Sequence, residues 1–192
     1  MDVGTFVVLG IVAAVVLYGI VIYNNLVRLK HNVSKAWSNI DVLLKQRHDE
    51  LPKLVETCKQ YMGYEQETLE KVMQARAAVS AAREQGDVAA LGPAETQLRL
   101  GLGNLFAVAE AYPDLKANES FRHLQARISG LENAIADRRE FYNDSVNLNN
   151  VRIEQFPDVI IARWFNFIAA TLLEFSEEEK TDVDVGALFN NA

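Results

Sequence analysis

Cysteine, proline and glycine are scarce in this chain of 192 residues, which contains one cysteine, four prolines and ten glycines. A single cysteine, Cys58, excludes an intrachain disulfide and fits a reducing compartment. Because Cys58 falls on an apolar helical stripe, we expect a small core residue there and not a reactive thiol. The scarcity of turn residues and the lack of strand-like alternation predict an all-α fold.

The motifs of common catalytic and metal sites are also missing from the sequence. None of the three histidines, His31, His48 and His123, follows a glutamate by three residues, so the Glu-x-x-His motif of di-iron bundles is absent. The sequence likewise has no H-x-x-x-H, C-x-x-C, G-x-G-x-x-G, Walker-type or G-x-S-x-G motif. We therefore predict no catalytic residues, no metal site, no cofactor and no enzymatic activity.

The net charge of −7 is concentrated near the C-terminus. Between Glu174 and Asp184 there are six acidic residues against one base, Lys180, which leaves the body of the chain near −1. Such a body offers no basic surface to nucleic acid, so no nucleic-acid partner is expected. Residues 176–192 are predicted to be an acidic, flexible tail, and a docking site for a basic partner is the alternative.

What the chain does contain is a long apolar run, Val3–Tyr23, with 21 residues and no charge. About 20 apolar residues at ~1.5 Å each cross a hydrocarbon core of ~30 Å as a helix. The run is longer than the ~7–15 apolar residues of a signal peptide, and it lacks a basic start and an A-x-A site. We predict a retained transmembrane anchor over residues 1–23, with these embedded positions: Val3, Phe6, Leu9, Val12, Val16, Ile20 and Tyr23.

The basic residues near this anchor all lie on its C-terminal side: Arg28, Lys30 and Lys35. This asymmetry predicts an N-terminus outside and a large domain in the cytoplasm. The protein would then be single-pass, with the lipid bilayer as its first partner.

Beyond the anchor, apolar residues recur every three or four positions from Leu26 to Val79, which is typical of a coiled-coil-like seam. Pro52 interrupts the seam, and two structures are open: one helix kinked at Pro52 and ending near Arg83, or a new helix capped by Asp49 that folds back. The unbroken register favours the first.

A continuous helix would expose one apolar stripe next to the membrane. Each large apolar side chain left in water costs ~1.5–3 kcal/mol, so the stripe would need another subunit or protein. We therefore predict a homo-oligomer with this seam: Leu26, Val33, Trp37, Ile40 and Leu44.

The rest of the sequence predicts further helices, which belong to one bundle domain over residues 24–175. Pro93 suits the first turn of a second helix, after a loop or weak turn of helix at residues 84–92. Tyr112-Pro113-Asp114 breaks the chain, and a long helix runs from near Asn118 to Phe156-Pro157. The apolar segment Asp158–Phe175 is predicted to be a terminal helix that covers the end of the bundle, with a partner-binding or membrane-surface helix as the alternative.

Polar residues interrupt the apolar stripes or stand beside them. The predicted set comprises Arg47, Glu65, Tyr112, Arg138, Tyr142, Asn143 and Asn149. Buried charges must be paired, so these residues are expected to form interhelical ion pairs and amide hydrogen bonds that fix the register. The alternative is a ligand or partner site built from Arg47, Glu65, Tyr112, Tyr142 and Asn143.

Taken in order, several short segments resemble the LemA family of bacterial membrane proteins over nearly the whole chain. They are the anchor, residues 23–27, 36–42 and 47–55, Tyr61 with Glu65, residues 110–117, Arg139 with Tyr142-Asn143, Asn149, and Phe156-Pro157. The chain departs mildly where the family has Ile-Pro-Asn, with Leu51-Pro52-Lys53. The resemblance implies a bacterial inner-membrane protein with an anchor and an all-α bundle, and no assigned enzymatic activity.

Two classes of function are compatible with these observations. One is a membrane-anchored scaffold that self-associates and organises other membrane components. The other is a regulatory adaptor that binds one membrane or cytoplasmic partner, through Val159–Phe175 or the acidic tail. A helix-bundle enzyme is a distant third.

Overall fold

The computed structural model describes residues 2–174, and in that range it contains six α-helices and no strand. The helices are α1 (Val3–Lys59), α2 (Gln66–Gln85), α3 (Val88–Ala109), α4 (Pro113–Ala117), α5 (Glu119–Glu154) and α6 (Asp158–Trp164). The predicted all-α fold with a long N-terminal apolar helix is therefore confirmed. The predicted acidic tail at residues 176–192 lies outside the described residues.

Helix α1 passes through Pro52 without interruption, as the preferred prediction stated. An interior proline removes one backbone hydrogen bond, but Leu51 and Leu54 on either side are fully buried and hold the segment in place. The alternative, a new helix starting near Asp49, is wrong.

The prediction that this helix continues to Arg83 is also wrong, because α1 ends at Lys59 and α2 begins at Gln66. The intervening turn contains Gly63, which disfavours helix by ~1 kcal/mol relative to Ala. Helix α2 instead packs its apolar face against α3. The apolar spacing continued across the turn and concealed it.

The connection between α2 and α3 is shorter than the sequence indicated. Gly86 ends α2 in the left-handed conformation, with φ of 66°, close to the predicted end at Arg83. Asp87 then caps α3 by accepting a hydrogen bond from the Ala90 N–H at 3.0 Å. Residues 88–92 are therefore helical, and Pro93 stands in the second turn and not in the first as predicted.

Helix α5 agrees with its predicted limits. The Asn118 side chain accepts a hydrogen bond from the Phe121 N–H at 3.0 Å, and the helix ends at Glu154, just before Phe156-Pro157. Its buried stripe follows the predicted spacing at Phe121, Ile128, Ile135 and Tyr142.

The predicted terminal helix over Asp158–Phe175 is wrong beyond Trp164. Asn166 adopts a left-handed φ of 56°, and residues 167–174 have no regular structure. Side chains of α5 pair with this backbone instead. The Asn150 amide accepts from the Ala170 N–H and donates to its C=O, both at 2.9 Å, and the Tyr142 hydroxyl donates to the Thr171 C=O at 2.9 Å. These bonds satisfy backbone groups that a helix would have paired internally.

Contacts within the chain group into two compact units. The anchor unit comprises residues 2–43 and 134–172, and the second unit comprises residues 44–133 with Leu173 and Glu174. The domain limits predicted at residues 23 and 175 divide the chain differently, and they stay a prediction.

Candidate functional site

A buried group of charges lies in the second unit, where α1, α3 and α5 each contribute one side chain. Arg47 is 2% exposed and Glu95 is 3% exposed. The Nη2 atom of Arg47 lies 2.5 Å from Glu95 Oε1 and 2.6 Å from Oε2, and its Nη1 atom lies 3.7 Å from Glu132 Oε1. The prediction that Arg47 is buried and paired is therefore met by two carboxylates.

The Arg47 guanidinium faces two carboxylates, and the charge of Arg99 also acts on Glu132. Burial raises the pKa of the Glu132 carboxyl, the Arg47 guanidinium opposes that rise, and the Glu95 carboxylate adds to it. The proton is therefore held more readily by Glu132 than by an exposed glutamate. With Arg47 and Glu95 out of contact with water and bonded to each other, the cluster joins helices and offers no open position to a substrate.

Sequence reasoning found Arg47 but missed its partners. A signal was present for Glu95, which stands on the same face of α3 as Leu91, Leu98 and Leu102 at helical spacing. A carboxylate at an apolar position of a helix is expected to be buried, and a buried carboxylate is stable only when a base pairs with it. Glu132 follows Ile128 by four residues on α5, at the edge of the buried stripe, so its signal was weaker.

A second pair of acid–base contacts surrounds Glu50, also missed from the sequence. Glu50 is mostly buried, and its carboxylate pairs with Lys53 Nζ and with Arg127 Nε, each at 3.1 Å. Two residues before Glu50, His48 contacts α2: Arg76 donates to the His48 C=O at 3.0 Å and contacts the His48 Nε2 atom at 2.6 Å. Because arginine can only donate, this contact requires a neutral imidazole.

Glu65 and Tyr112, both predicted network members, meet at the turn between α1 and α2. The Tyr112 hydroxyl donates to Glu65 Oε1 at 3.4 Å, and both side chains are partly exposed. Nearby, Asn118 donates to the Tyr61 hydroxyl at 3.0 Å. These bonds join the turn to the start of α5, which is a structural role.

The remaining predicted network members belong to the anchor unit. Tyr142 and Asn149 are buried, Asn143 is half-buried, and Arg138 is exposed. The prediction of a buried Arg138 is therefore wrong, because helix α5 turns this position toward solvent. Tyr142 bonds the extended backbone at Thr171, and Asn149 donates to Asn150 at 3.2 Å, so both support the segment that follows α6.

The predicted oligomer seam is covered within the chain. Leu26, Ile40 and Leu44 are fully buried, and Val33 and Trp37 are half-buried. The Trp37 ring lies 5.7 Å from the Tyr142 ring of α5, measured between centroids. The reason for placing another subunit on this stripe, its exposure to water, was therefore wrong.

The predicted membrane-embedded positions are exposed on α1. Val3, Phe6, Leu9, Val12, Val16 and Ile20 each present half or more of their side chain outward, and Tyr23 is 37% exposed. This helix is long enough and apolar enough to cross a membrane. A run of this kind left in water would be very costly, so the exposure fits a lipid surround.

Among residues 2–174, no group of three or more His, Cys, Asp or Glu side chains is placed to hold a metal ion. Cys58 is buried, and burial raises the pKa of its thiol to about 11, so the reactive thiolate is disfavoured. Its assignment to the core is confirmed.

The sequence of this chain is similar to those of known bacterial proteins. The model of the LemA family matches residues 36–186. Protein LemA of Metamycoplasma hominis is 30% identical over 169 residues, which cover 87% of this chain and 75% of the relative. Magnetosome protein MamQ 2 of Paramagnetospirillum magneticum is 36% identical over 56 residues, covering 29% of this chain and 21% of that protein.

Proposed function

Because the chain belongs to the LemA family, we propose that it is a non-catalytic scaffold on the bacterial cytoplasmic membrane, which self-associates and organises other membrane components. Family and apolar helix together indicate a membrane-anchored bacterial protein. The scaffold role, the self-association and the orientation are the proposed part.

The observation that carries the proposal is an apolar stripe on α5 within the anchor unit. Phe141, Leu148 and Val151 are each at least half exposed, although they belong to a helix whose opposite face is buried. At ~100° per residue they fall within about 80° of one another, so they form one face. The exposed Asp144 lies on the same face, between Phe141 and Leu148. Large apolar side chains exposed on one face are typical of interaction surfaces.

A second copy of this chain is the proposed occupant of the stripe. Anchored copies share the same depth, because each α1 fixes α5 at the same height above the bilayer. Confinement to a membrane raises the effective concentration of one copy around another, so a small apolar contact suffices to associate them. An orientation with the bundle in the cytoplasm follows from the basic residues Arg28, Lys30 and Lys35.

The test is photo-crosslinking in intact membranes from a reactive residue placed at Leu148. We expect a ladder of homo-oligomers. The same residue placed at Gln74, an exposed position on α2, is the matched control and should give no ladder. A single band with a foreign protein from Leu148 would overturn self-association in favour of an adaptor, and equal labelling from both positions would remove the stripe as a docking face.

Orientation is tested separately. In a Cys58→Ser background, the Gln74→Cys variant should resist a membrane-impermeant maleimide in intact cells and react after lysis. Labelling in intact cells would place the bundle on the outer side of the membrane.

A further inference from the structure

The chain around α6 presents large apolar side chains to its surroundings. Trp164 is 81% exposed, Phe156 76% and Ile168 75%, and Ile160 and Phe165 are each more than half exposed. Five such groups within 13 residues form an apolar surface of the kind that soluble proteins bury or dock. We call residues 156–168 the contact segment.

The contact segment lies against the last part of the apolar anchor. A Cβ atom added to Gly19 would stand 3.8 Å from Cδ1 of Ile161. The ring of Tyr23 lies 4.7 Å from that of Phe165 and 5.9 Å from that of Phe167, between centroids.

Further contacts place α6 at the same level of α1. Ile22 and Leu26 share one apolar cluster with Ile153 and Ala162, and Ile161 and Phe167 pack against it. Gly19 precedes Tyr23 by four residues, which is ~6 Å along a helix. Any residue that touches Gly19 therefore lies at a depth where α1 is still inside the apolar run.

The contact segment presents little charge to its surroundings. Asp158 and Arg163 are the charged residues in the sequence of the contact segment. Asp158 is buried and pairs with Arg152 at 2.6 Å, so its charge is neutralised away from the apolar face. Arg163 has a long stem that can follow an apolar surface while its head reaches water. Exposed Trp and Phe side chains next to one such cation suit the boundary between acyl chains and headgroups.

We propose that the contact segment is embedded in the bilayer interface at the point where α1 leaves the membrane, as a second membrane contact of the same chain. Its occupant is lipid. The adjacent surface of α1, from Val3 to Val21, is already exposed for lipid, and the contact segment continues that surface. The proposal adopts the membrane-surface alternative for this segment in place of a cover for the end of the bundle.

The contact does not depend on anionic lipid. An interfacial helix that binds through charge carries a face of Lys and Arg, which this segment lacks. Tethering by α1 supplies the proximity that charge attraction would otherwise provide. Zwitterionic phosphatidylcholine is therefore sufficient.

Tryptophan quenching tests this in the full chain, reconstituted into phosphatidylcholine vesicles whose acyl chains are brominated near the headgroup. The chain has two tryptophans, Trp37 and Trp164. In the Trp37→Phe variant we expect blue-shifted emission from Trp164 that loses most of its intensity in brominated lipid. The position of Trp37 remains aromatic, so its contact with Tyr142 is largely kept.

The matched control places a tryptophan on the same unit but farther from the bilayer. Val42 is 55% exposed, lies outside the Phe141 stripe and follows Tyr23 by 19 residues, or ~28 Å of helix. A Val42→Trp substitution in a chain lacking both native tryptophans should emit as in water and keep its intensity in brominated lipid.

Two outcomes would overturn the inference. Water-like, unquenched emission from Trp164 would place the contact segment in solvent, and blue-shifted but unquenched emission would place a second copy over it. Should Trp37→Phe disturb folding, the difference in quenching between the unmodified chain and its Trp164→Phe variant supplies the same readout, because Trp164 is exposed. The inference depends on the anchor and not on the Phe141 stripe, so failure of the crosslinking test leaves it standing.

Discussion

In the second unit, Arg47, Glu50 and Glu95 are buried inside a helical core, whereas in the anchor unit apolar residues from Val3 to Val21 and around Trp164 remain exposed. The first arrangement is tolerated because each charge has a partner within a few ångströms. The second is tolerated because a bilayer takes the place of water. Burial alone therefore does not separate core from surface in this chain, since the solvent differs along its length.

Removing Arg47 should have the largest effect on the second unit. Arg47→Ala leaves the Glu95 carboxylate buried and unpaired, and we expect a loss of about 3–5 kcal/mol in the free energy of unfolding, measured by urea titration in mild detergent. Lys71→Ala, which removes an exposed pair with Glu67 at 2.7 Å, should cost far less, because solvent screens that pair.

Double substitution sharpens this result. Arg47→Met combined with Glu95→Gln should be less destabilised than Arg47→Met alone. The reason is that Glu95→Gln removes the carboxylate that Arg47→Met would leave buried without its arginine. Equal stability of the single and double variants would show that the pair does not couple.

Truncation of Ile40 tests whether the seam next to the anchor is closed by the chain itself. Ile40 is fully buried, so Ile40→Ala should cost about 2–5 kcal/mol. The loss should be independent of protein concentration, since the partner side chains belong to the same molecule. Val42→Ala, at an exposed position of the same helix, should cost about 0.5 kcal/mol or less. A concentration-dependent loss would return the seam to an interface between subunits.

Two glycines of α3 should respond in opposite directions. A Cβ at Gly92 would stand 1.8 Å from the Glu174 C=O oxygen, so Gly92→Ala must push that backbone away and should cost about 1–3 kcal/mol. At Gly103 nothing lies within 4 Å, and Gly103→Ala should stabilise by up to about 1 kcal/mol through helix propensity. A stable Gly92→Ala protein would show that residue 174 does not pack on α3.

The smallest effect is expected from His48. Burial, followed by the nearby Arg76, lowers the pKa of His48 below 6.5, so the unfolded chain takes up its proton at a higher pH than the folded chain does. Stability from this group is therefore complete above its unfolded pKa and is lost as pH falls from about 7.5 through 6.5 toward the lower folded pKa.

His48→Gln keeps an acceptor for Arg76 and removes the titration. The pH dependence of unfolding in that window should flatten relative to the unmodified chain. Asp49 and Glu84 act in the opposite direction on the same ring, which keeps the effect small. An unchanged slope in the variant would assign the pH dependence to other groups.

Local chemistry made several parts of the fold predictable. The ends of α5 follow from Asn118 as a cap and Phe156-Pro157 as a stop, and Gly86 marks the end of α2 through its left-handed φ. Prediction failed where two signals competed. Apolar spacing from Leu51 to Val79 outweighed the single Gly63, and the high apolar content of residues 158–175 concealed the break at Asn166.

Only part of the candidate site could be predicted from the sequence, for a related reason. Arg47 interrupts an apolar stripe, so its burial could be expected, but which acid pairs with it depends on how α3 and α5 are placed beside α1. Arg138 stands at the same kind of interruption and is exposed. Periodicity identifies a face of a helix and leaves the residues at its edge undecided.

By itself, the sequence determined the anchor, the helical class and the family, because uncharged length, 3,4 spacing and the order of short motifs are all local properties. Tertiary structure decided that the Leu26–Leu44 stripe is closed within one chain, that Arg47 is shared between two glutamates, and that α6 stands beside Gly19. Those outcomes depend on which helix lies next to which, and contacts between residues distant in sequence arise only when the chain packs.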